Sequence, residues 1–215
     1  MKIIDLTQTI SNTMPVYPGT AAARLELVNT YETDGFRETL LAMTSHTGTH
    51  MDAPFHLFGE GARLEDFPAA QFVGKALVID CRDLGAGESI GMERIEAVRD
   101  LADEAEMLLF CTGWDRYWGQ EEYFGDYPVI STEICDYALQ SGKKALGFDT
   151  IGIDPIADHA LTRHKRLLSQ AEIVIIENLT NLDEIGGGLF TLAALPLKYE
   201  AADGAPTRAV AILGD

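Results

Sequence analysis

Short apolar runs recur along the chain, and their periodicity separates strands from helices. Residues 24–28 and 38–44 mix polar and apolar positions and read as strands. Residues 76–80, 107–112, 145–149, 173–177 and 209–213 are nearly continuous apolar runs, the pattern of strands buried on both faces. From 92 to 105, Ile95, Val98 and Leu101 recur at helical spacing among charges. From 132 to 140, Ile134 and Ala138 share a face, with Ser131 placed to cap the start and Gly142 to end the helix. A third helix is predicted over 161–170. Strands alternating with helices predict one α/β domain spanning 1–215, with a mixed, mostly β core and outer helices. Loops rich in glycine and proline at 14–19, 58–68 and 186–188 leave room for a site.

Composition narrows the class. A chain of 215 residues suits one domain, and 47% hydrophobic with 23% charged residues is ordinary for a water-facing globular protein. A formal net charge of −18 repels a phosphate backbone, so nucleic acid is not an expected partner. No apolar run approaches the roughly 18 residues of a membrane helix, so no membrane association is expected. The first residues lack a signal peptide's apolar stretch and small-residue cleavage site, which points to the cytoplasm. Cys81 and Cys111 end apolar runs, Cys135 is remote from both, and no CxxC pair occurs. They read as inert buried thiols.

The chemistry concentrates in His46-Thr47-Gly48-Thr49-His50-Met51-Asp52-Ala53-Pro54-Phe55-His56, which holds three of the five histidines. Imidazole nitrogen with carboxylate oxygen suits a divalent metal such as zinc or manganese. The zincin helix needs Glu after its first His, and Thr47 stands there. Gly48 and Pro54 also oppose a helix. Positions 46, 50, 52 and 56 share parity, but a straight strand would spread them over roughly 33 Å. The segment must bend, with Gly48 and Pro54 the natural places. The expectation is a strand ending near His46, then a tight ligand-bearing loop. Downstream, His164 lies on a predicted helix among basic neighbours, and Glu177 ends a buried strand, where α/β sites usually lie.

These residues resemble the metal-dependent cyclase/hydrolase family, which includes bacterial kynurenine formamidase and isatin hydrolase. The hallmark H-x-G-T-H-x-D-x-P-x-H is present in full from His46 to His56. Similar segments occur in order: Met14-Pro15-Val16-Tyr17-Pro18-Gly19, Thr112-Gly113-Trp114, Asp154-Pro155, His164-Lys165-Arg166, Ile176-Glu177-Asn178-Leu179 and Asp203-Gly204-Ala205-Pro206-Thr207-Arg208. The resemblance implies a swivelling β/β/α fold and a homo-oligomer, a dimer or tetramer. It implies His46, His50, Asp52, His164 and Glu177 as metal ligands, with Asp52 bridging two ions, and His56 as general acid/base or a further metal contact. The His164–Glu177 spacing is one residue longer than the family pattern, which makes Glu172 the alternative carboxylate. The implied cofactor is zinc, one or two ions, or else manganese.

The implied activity is hydrolysis of a small aryl amide, N-formyl-L-kynurenine to L-kynurenine and formate, a step of tryptophan catabolism. A cyclic amide or ester such as isatin is the alternative substrate, and a non-catalytic metal-binding protein the alternative class. Trp114 or Phe58 could stack on an aryl group, although core packing is the ordinary use of a tryptophan.

Overall fold

The computed structural model describes residues 1–169 and 172–214. Its strands are β1 (Lys2–Asp5), β2 (Arg24–Asn29), β3 (Glu38–Ala42), β4 (His50–Asp52), β5 (Val73–Asp80), β6 (Ser89–Ile90), β7 (Met107–Cys111), β8 (Val129–Ile130), β9 (Ala145–Phe148), β10 (Val174–Glu177), β11 (Phe190–Pro196) and β12 (Gly204–Leu213). Its α-helices are α1 (Tyr31–Asp34), α2 (Glu93–Glu96), α3 (Arg99–Glu104), α4 (Thr132–Gln140) and α5 (Thr162–Leu168).

Eight strands form one sheet in the order β1-β12-β11-β5-β7-β9-β10-β4. β5, β7, β9 and β10 run parallel, and the other neighbours are antiparallel. β4 also pairs with β12, so the sheet closes on itself as a mixed barrel. Alternation along each strand then fills two layers. Met51, Ala76, Leu109, Ala145, Val174, Ile176, Leu192, Ala194, Ala205 and Ala209 belong to the inner core. The many alanines suit the narrow interior of a small barrel. Leu77, Ile79, Leu108, Phe110, Leu146, Phe148 and Ile175 face outward and pack with Ile134 and Ala138 of α4 and Leu167 and Leu168 of α5. This double burial is what the continuous apolar runs require.

Several expectations need correction. The helix over 92–105 is broken into α2 and α3 at Val98, whose backbone (φ −131°, ψ 29°) leaves the helical region. The break lets Ile95 and Ala102 face the same buried layer. Ser131 stands at the start of α4 without a side-chain cap bond. α5 begins at Thr162, after Leu161 in the left-handed region (φ 53°), and the expected end at Gln170 lies outside the described residues. β1, β4, β6, β8 and β11 were not expected, and the last strand begins at Gly204 rather than 209. β2 and β3 form a separate two-stranded ribbon whose Leu27, Val28, Leu40 and Leu41 are exposed. No helix among the described residues is long and apolar enough to cross a membrane.

Candidate metal centre

Local structure gathers the ligand-type residues. β3 stops at Ala42, short of His46. The chain then turns at Gly48, whose φ of +64° favours glycine. Past the turn the chain forms strand β4, where a loop was expected. β4 sits between β10 and β12, with Glu177 opposite His50 on one side and Gly204 opposite Asp52 on the other. Met51 enters the inner core, so His50 and Asp52 face the helix layer. Pro54 starts a 3-10 turn, Pro54–His56, that brings His56 back toward them. Glu177 shares the outward parity of Ile175, and α5 lays His164 over the same face. His164 is buried, so its basic neighbours do not put it on a solvated face.

All six sequence-selected residues meet at one place. His46 Nδ1 lies 2.7 Å and His50 Nε2 3.2 Å from Asp52 Oδ1. His164 Nε2 lies 3.6 Å from Asp52 Oδ2 and 3.0 Å from Glu177 Oε1. Glu177 Oε2 is 3.4 Å from His50 Nε2. A tetrahedral zinc with bonds of about 2.0–2.1 Å needs ligand atoms roughly 3.3 Å apart, so the spacing fits two adjacent sites. His46, His50 and Asp52 form one candidate group and Asp52, His164 and Glu177 a second, while His46, His56 and Asp203 make a third, less buried one. Asp52 offers one oxygen to each of the first two, and Glu177 belongs to the second. Glu172 is exposed on a separate groove, so Glu177 is the carboxylate beside His164.

The three candidate histidine ligands each have an acceptor for the other ring nitrogen, the arrangement that fixes tautomer and orientation. His50 Nδ1 donates to the Gly48 carbonyl at 2.9 Å. His164 Nδ1 donates to buried Asp154 at 2.8 Å. His46 Nε2 faces Asp203 at 3.0 Å. Asn178 braces the turn: its amide donates to the Gly48 carbonyl at 2.9 Å and accepts from the Tyr123 hydroxyl at 2.7 Å. Sequence reasoning gave no role to Asp154, Asn178 or Asp203, although all three lie in segments that carry the resemblance. The usable signal was the second nitrogen of each histidine, which needs an acceptor somewhere.

Electrostatics fit a centre built for positive charge. Burial alone would lower His46, but Asp52 and Asp203 outweigh it and hold the imidazole up at about 10. His164 is likewise held well above the ordinary value against burial, by Asp154, Asp52 and Glu177. Without metal, protons on these rings neutralise the buried carboxylates. His56 goes the other way: burial, joined by His46 and His164, keeps it below the ordinary imidazole value despite Asp52. It is therefore neutral at pH 7 and can accept a proton.

The cluster opens into a cavity of about 560 Å³, bordered by all five histidines of the chain, including His159. Pro15, Val16, Tyr17, Ile151 and Leu161 supply an apolar wall. Trp114 and Phe58 do not line it. Trp114 is buried, donates to the Tyr123 carbonyl at 3.2 Å and packs with Tyr123, Tyr127 and Ile151. Phe58 packs against the outer layer. Burial pushes the thiols of Cys81 and Cys135 up to about 12, so they stay protonated.

Known proteins share both sequence and fold. Kynurenine formamidase of Bacillus cereus is 34% identical over 208 residues, 96% of this chain and 95% of its own length. An isatin hydrolase bound to the product analogue thioisatinate matches with a TM-score of 0.88 at 23% identity, over 100% of this chain and 93% of that one, a likeness of fold. A structure described as a potential metal-dependent hydrolase with cyclase activity matches with a TM-score of 0.78 at 26% identity, over 98% of both chains. The Cyclase family model covers residues 4–155, which takes in the whole 46–56 segment. With the barrel, the histidine-carboxylate cluster and nearly full-length identity in agreement, the chain belongs to the Cyclase family.

Proposed function

We propose that the protein is a metal-dependent hydrolase of carbon–nitrogen bonds outside peptides, acting on an aryl formamide, with N-formyl-L-kynurenine as the leading substrate. The observation that carries this is the histidine–carboxylate cluster facing an apolar-walled cavity with His56 at its edge. The B. cereus relative's activity supports the substrate. His46, His50 and Asp52 would hold one ion, and Asp52, His164 and Glu177 a second. Nitrogen and carboxylate donors at this spacing favour zinc, with manganese second. A bound ion would supply Lewis acidity toward water and a carbonyl oxygen.

The chain's own residues do the rest. Pro15, Val16, Tyr17 and Ile151 hold an aryl ring and exclude water from its face. Neutral His56 takes a proton from the attacking water and returns it to the departing aryl nitrogen. Water's oxygen leaves in formate, and the products are the free amine and formate. An open cavity beside the ligands supports an enzyme over a closed structural metal site.

A second reading has its own support. Among the described residues the cavity wall carries no lysine or arginine, which favours an uncharged cyclic amide of the isatin type. Formate release from N-formyl-L-kynurenine, run beside isatin opening on zinc-loaded protein, separates the two. Turnover of the formamide orders of magnitude below that of isatin would reject the first reading.

The active form is proposed as a homo-oligomer. Exposed Leu27, Val28, Leu40 and Leu41 leave apolar side chains on both faces of the β2–β3 ribbon, with Tyr31 and Phe36 exposed in its connection, and the ribbon leads directly into Thr44 and Ser45 of the cavity wall. Three free, buried cysteines support a reducing compartment, the cytoplasm.

A further inference from the structure

The Asp203-Gly204 step has no part in the mechanism above, yet it touches the centre. Asp203 Oδ2 lies 3.0 Å from His46 Nε2, the nitrogen turned away from Asp52. The same oxygen lies 3.8 Å from His56 Nδ1, beyond hydrogen-bond distance. Among the described residues, Asp203 is the one carboxylate within 4 Å of the His56 ring nitrogens. The His46 and His56 rings are 4.0 Å apart between centroids.

Asp203 is itself held in place. Ser45 Oγ donates to Oδ2 at 3.2 Å; the Tyr199 hydroxyl lies 3.2 Å from Oδ1 and makes its shorter bond, 2.5 Å, to the Gly204 carbonyl. The Asp203 carbonyl accepts the Ala53 N–H at 2.9 Å, one residue beyond Asp52. The main chain of Asp203 is therefore fixed next to the strand that carries two candidate ligands, and its carboxylate is held by the Ser45 hydroxyl with Tyr199 packed beside it.

We infer that Asp203 is a positioning residue shared by two histidines: it orients His46 as a metal ligand and supplies the acceptor for His56 during proton transfer. This rests on the hydrolase reading. His50 and His164 have acceptors of their own, in Gly48 and Asp154. His46 has Asp203, and the same carboxylate is the nearest one to His56, at 3.8 Å, so a short movement of the His56 ring would couple the metal centre to the proton carrier. Bonds of this kind are commonly long in a resting site and tighten in the working complex.

The test uses Asp203→Asn and Asp203→Glu in the full chain, each checked for folding by thermal melting. In zinc-free protein, nitrogen-detected NMR of the imidazoles is expected to show the His46 Nε2–H signal shifted in Asp203→Asn. Chelator competition is expected to show zinc affinity reduced by about 10–100-fold at unchanged stoichiometry. With a turned-over substrate, kcat falls at least about tenfold while KM stays within about twofold, and Asp203→Glu recovers part of kcat. Wild-type affinity and kcat in Asp203→Asn overturn the inference. So does a loss of one zinc equivalent, which would make Asp203 a ligand. If the wild-type protein hydrolyses neither formamide nor isatin, the function reading fails, and the NMR and affinity arms still decide the role of Asp203.

Discussion

Replacing Gly204 by alanine tests whether the last strand sets the position of the first ligand. The backbone at Gly204 tolerates a side chain, but the added Cβ would lie 2.5 Å from His46 Cε1, 2.9 Å from Nε2 and 3.0 Å from Nδ1. Carbon atoms in contact sit about 3.5–4.0 Å apart, so something must retreat by roughly 1 Å. The strand is tied down by its pairing with Asp52 and by the Ala53-to-Asp203 hydrogen bond at 2.9 Å. The His46 ring is the part that yields, and it carries Nδ1 off Asp52. Overpacking costs about 1–3 kcal/mol, and Gly→Ala in a strand returns about 0.5–1 kcal/mol. The net loss is at most about 2.5 kcal/mol, a fall in Tm of no more than about 10 °C at roughly 2–4 °C per kcal/mol. A misplacement of about 1 Å at a reacting centre costs about 100-fold in rate. Gly204→Ala should therefore stay folded while kcat/KM falls by about two orders of magnitude, with weaker zinc binding. Gly187→Ala, where nothing lies within 4 Å of the new Cβ, is the neutral control. Chelator competition, turnover and scanning calorimetry on both variants measure this. Wild-type zinc affinity and turnover in Gly204→Ala would refute the reasoning.

The same geometry sets other outcomes. His56→Ala should retain zinc and lose about 10²–10⁴-fold in kcat; full turnover with metal retained would remove His56 from proton transfer. In zinc-free protein, burial opposes the rise in His46, and Asp52 and Asp203 outweigh it to give about 10, against about 6.5 in the unfolded chain. A raised folded value gives a stabilisation that is complete below pH 6.5 and lost between pH 6.5 and about 10. The melting temperature of metal-stripped protein should fall across that window more than that of zinc-loaded protein, where the ion replaces the proton; parallel profiles would contradict this. If the proposed oligomer forms through the ribbon, wild-type protein should scatter light as an oligomer and Leu40→Asp with Leu41→Asp as a monomer, because both side chains are about half exposed there; a monomeric wild type would reject the oligomer, and an unchanged oligomeric mass would place the interface elsewhere.

What the sequence made legible depended on length of pattern. The runs at β5, β7, β9 and β10 are apolar on both faces and stand out without any partner in view. β4 has three residues and no such run, so its segment reads as a loop. Its existence depends on β10 and β12, which lie more than a hundred residues downstream, and no local periodicity records a pairing of that kind. Parity was informative only in part. His50 and Asp52 do share a face through strand geometry, whereas His46 and His56 reach it through the turn at Gly48 and the 3-10 turn at Pro54. Asp203 was harder still, because its role exists only through the ring nitrogen of His46.

One physical cause underlies these differences. β4 is the strand that closes the barrel, and it is the strand that carries the two central donors. Its inward residue, Met51, is part of the inner core, and its outward pair faces Glu177 and His164. Closing the sheet and assembling the cluster are therefore one event. A substitution that separates β4 from β10, such as Ile176→Asp in the inner core, should abolish metal binding together with closure of the barrel. One that alters only the outward donors should leave the barrel closed and empty the site.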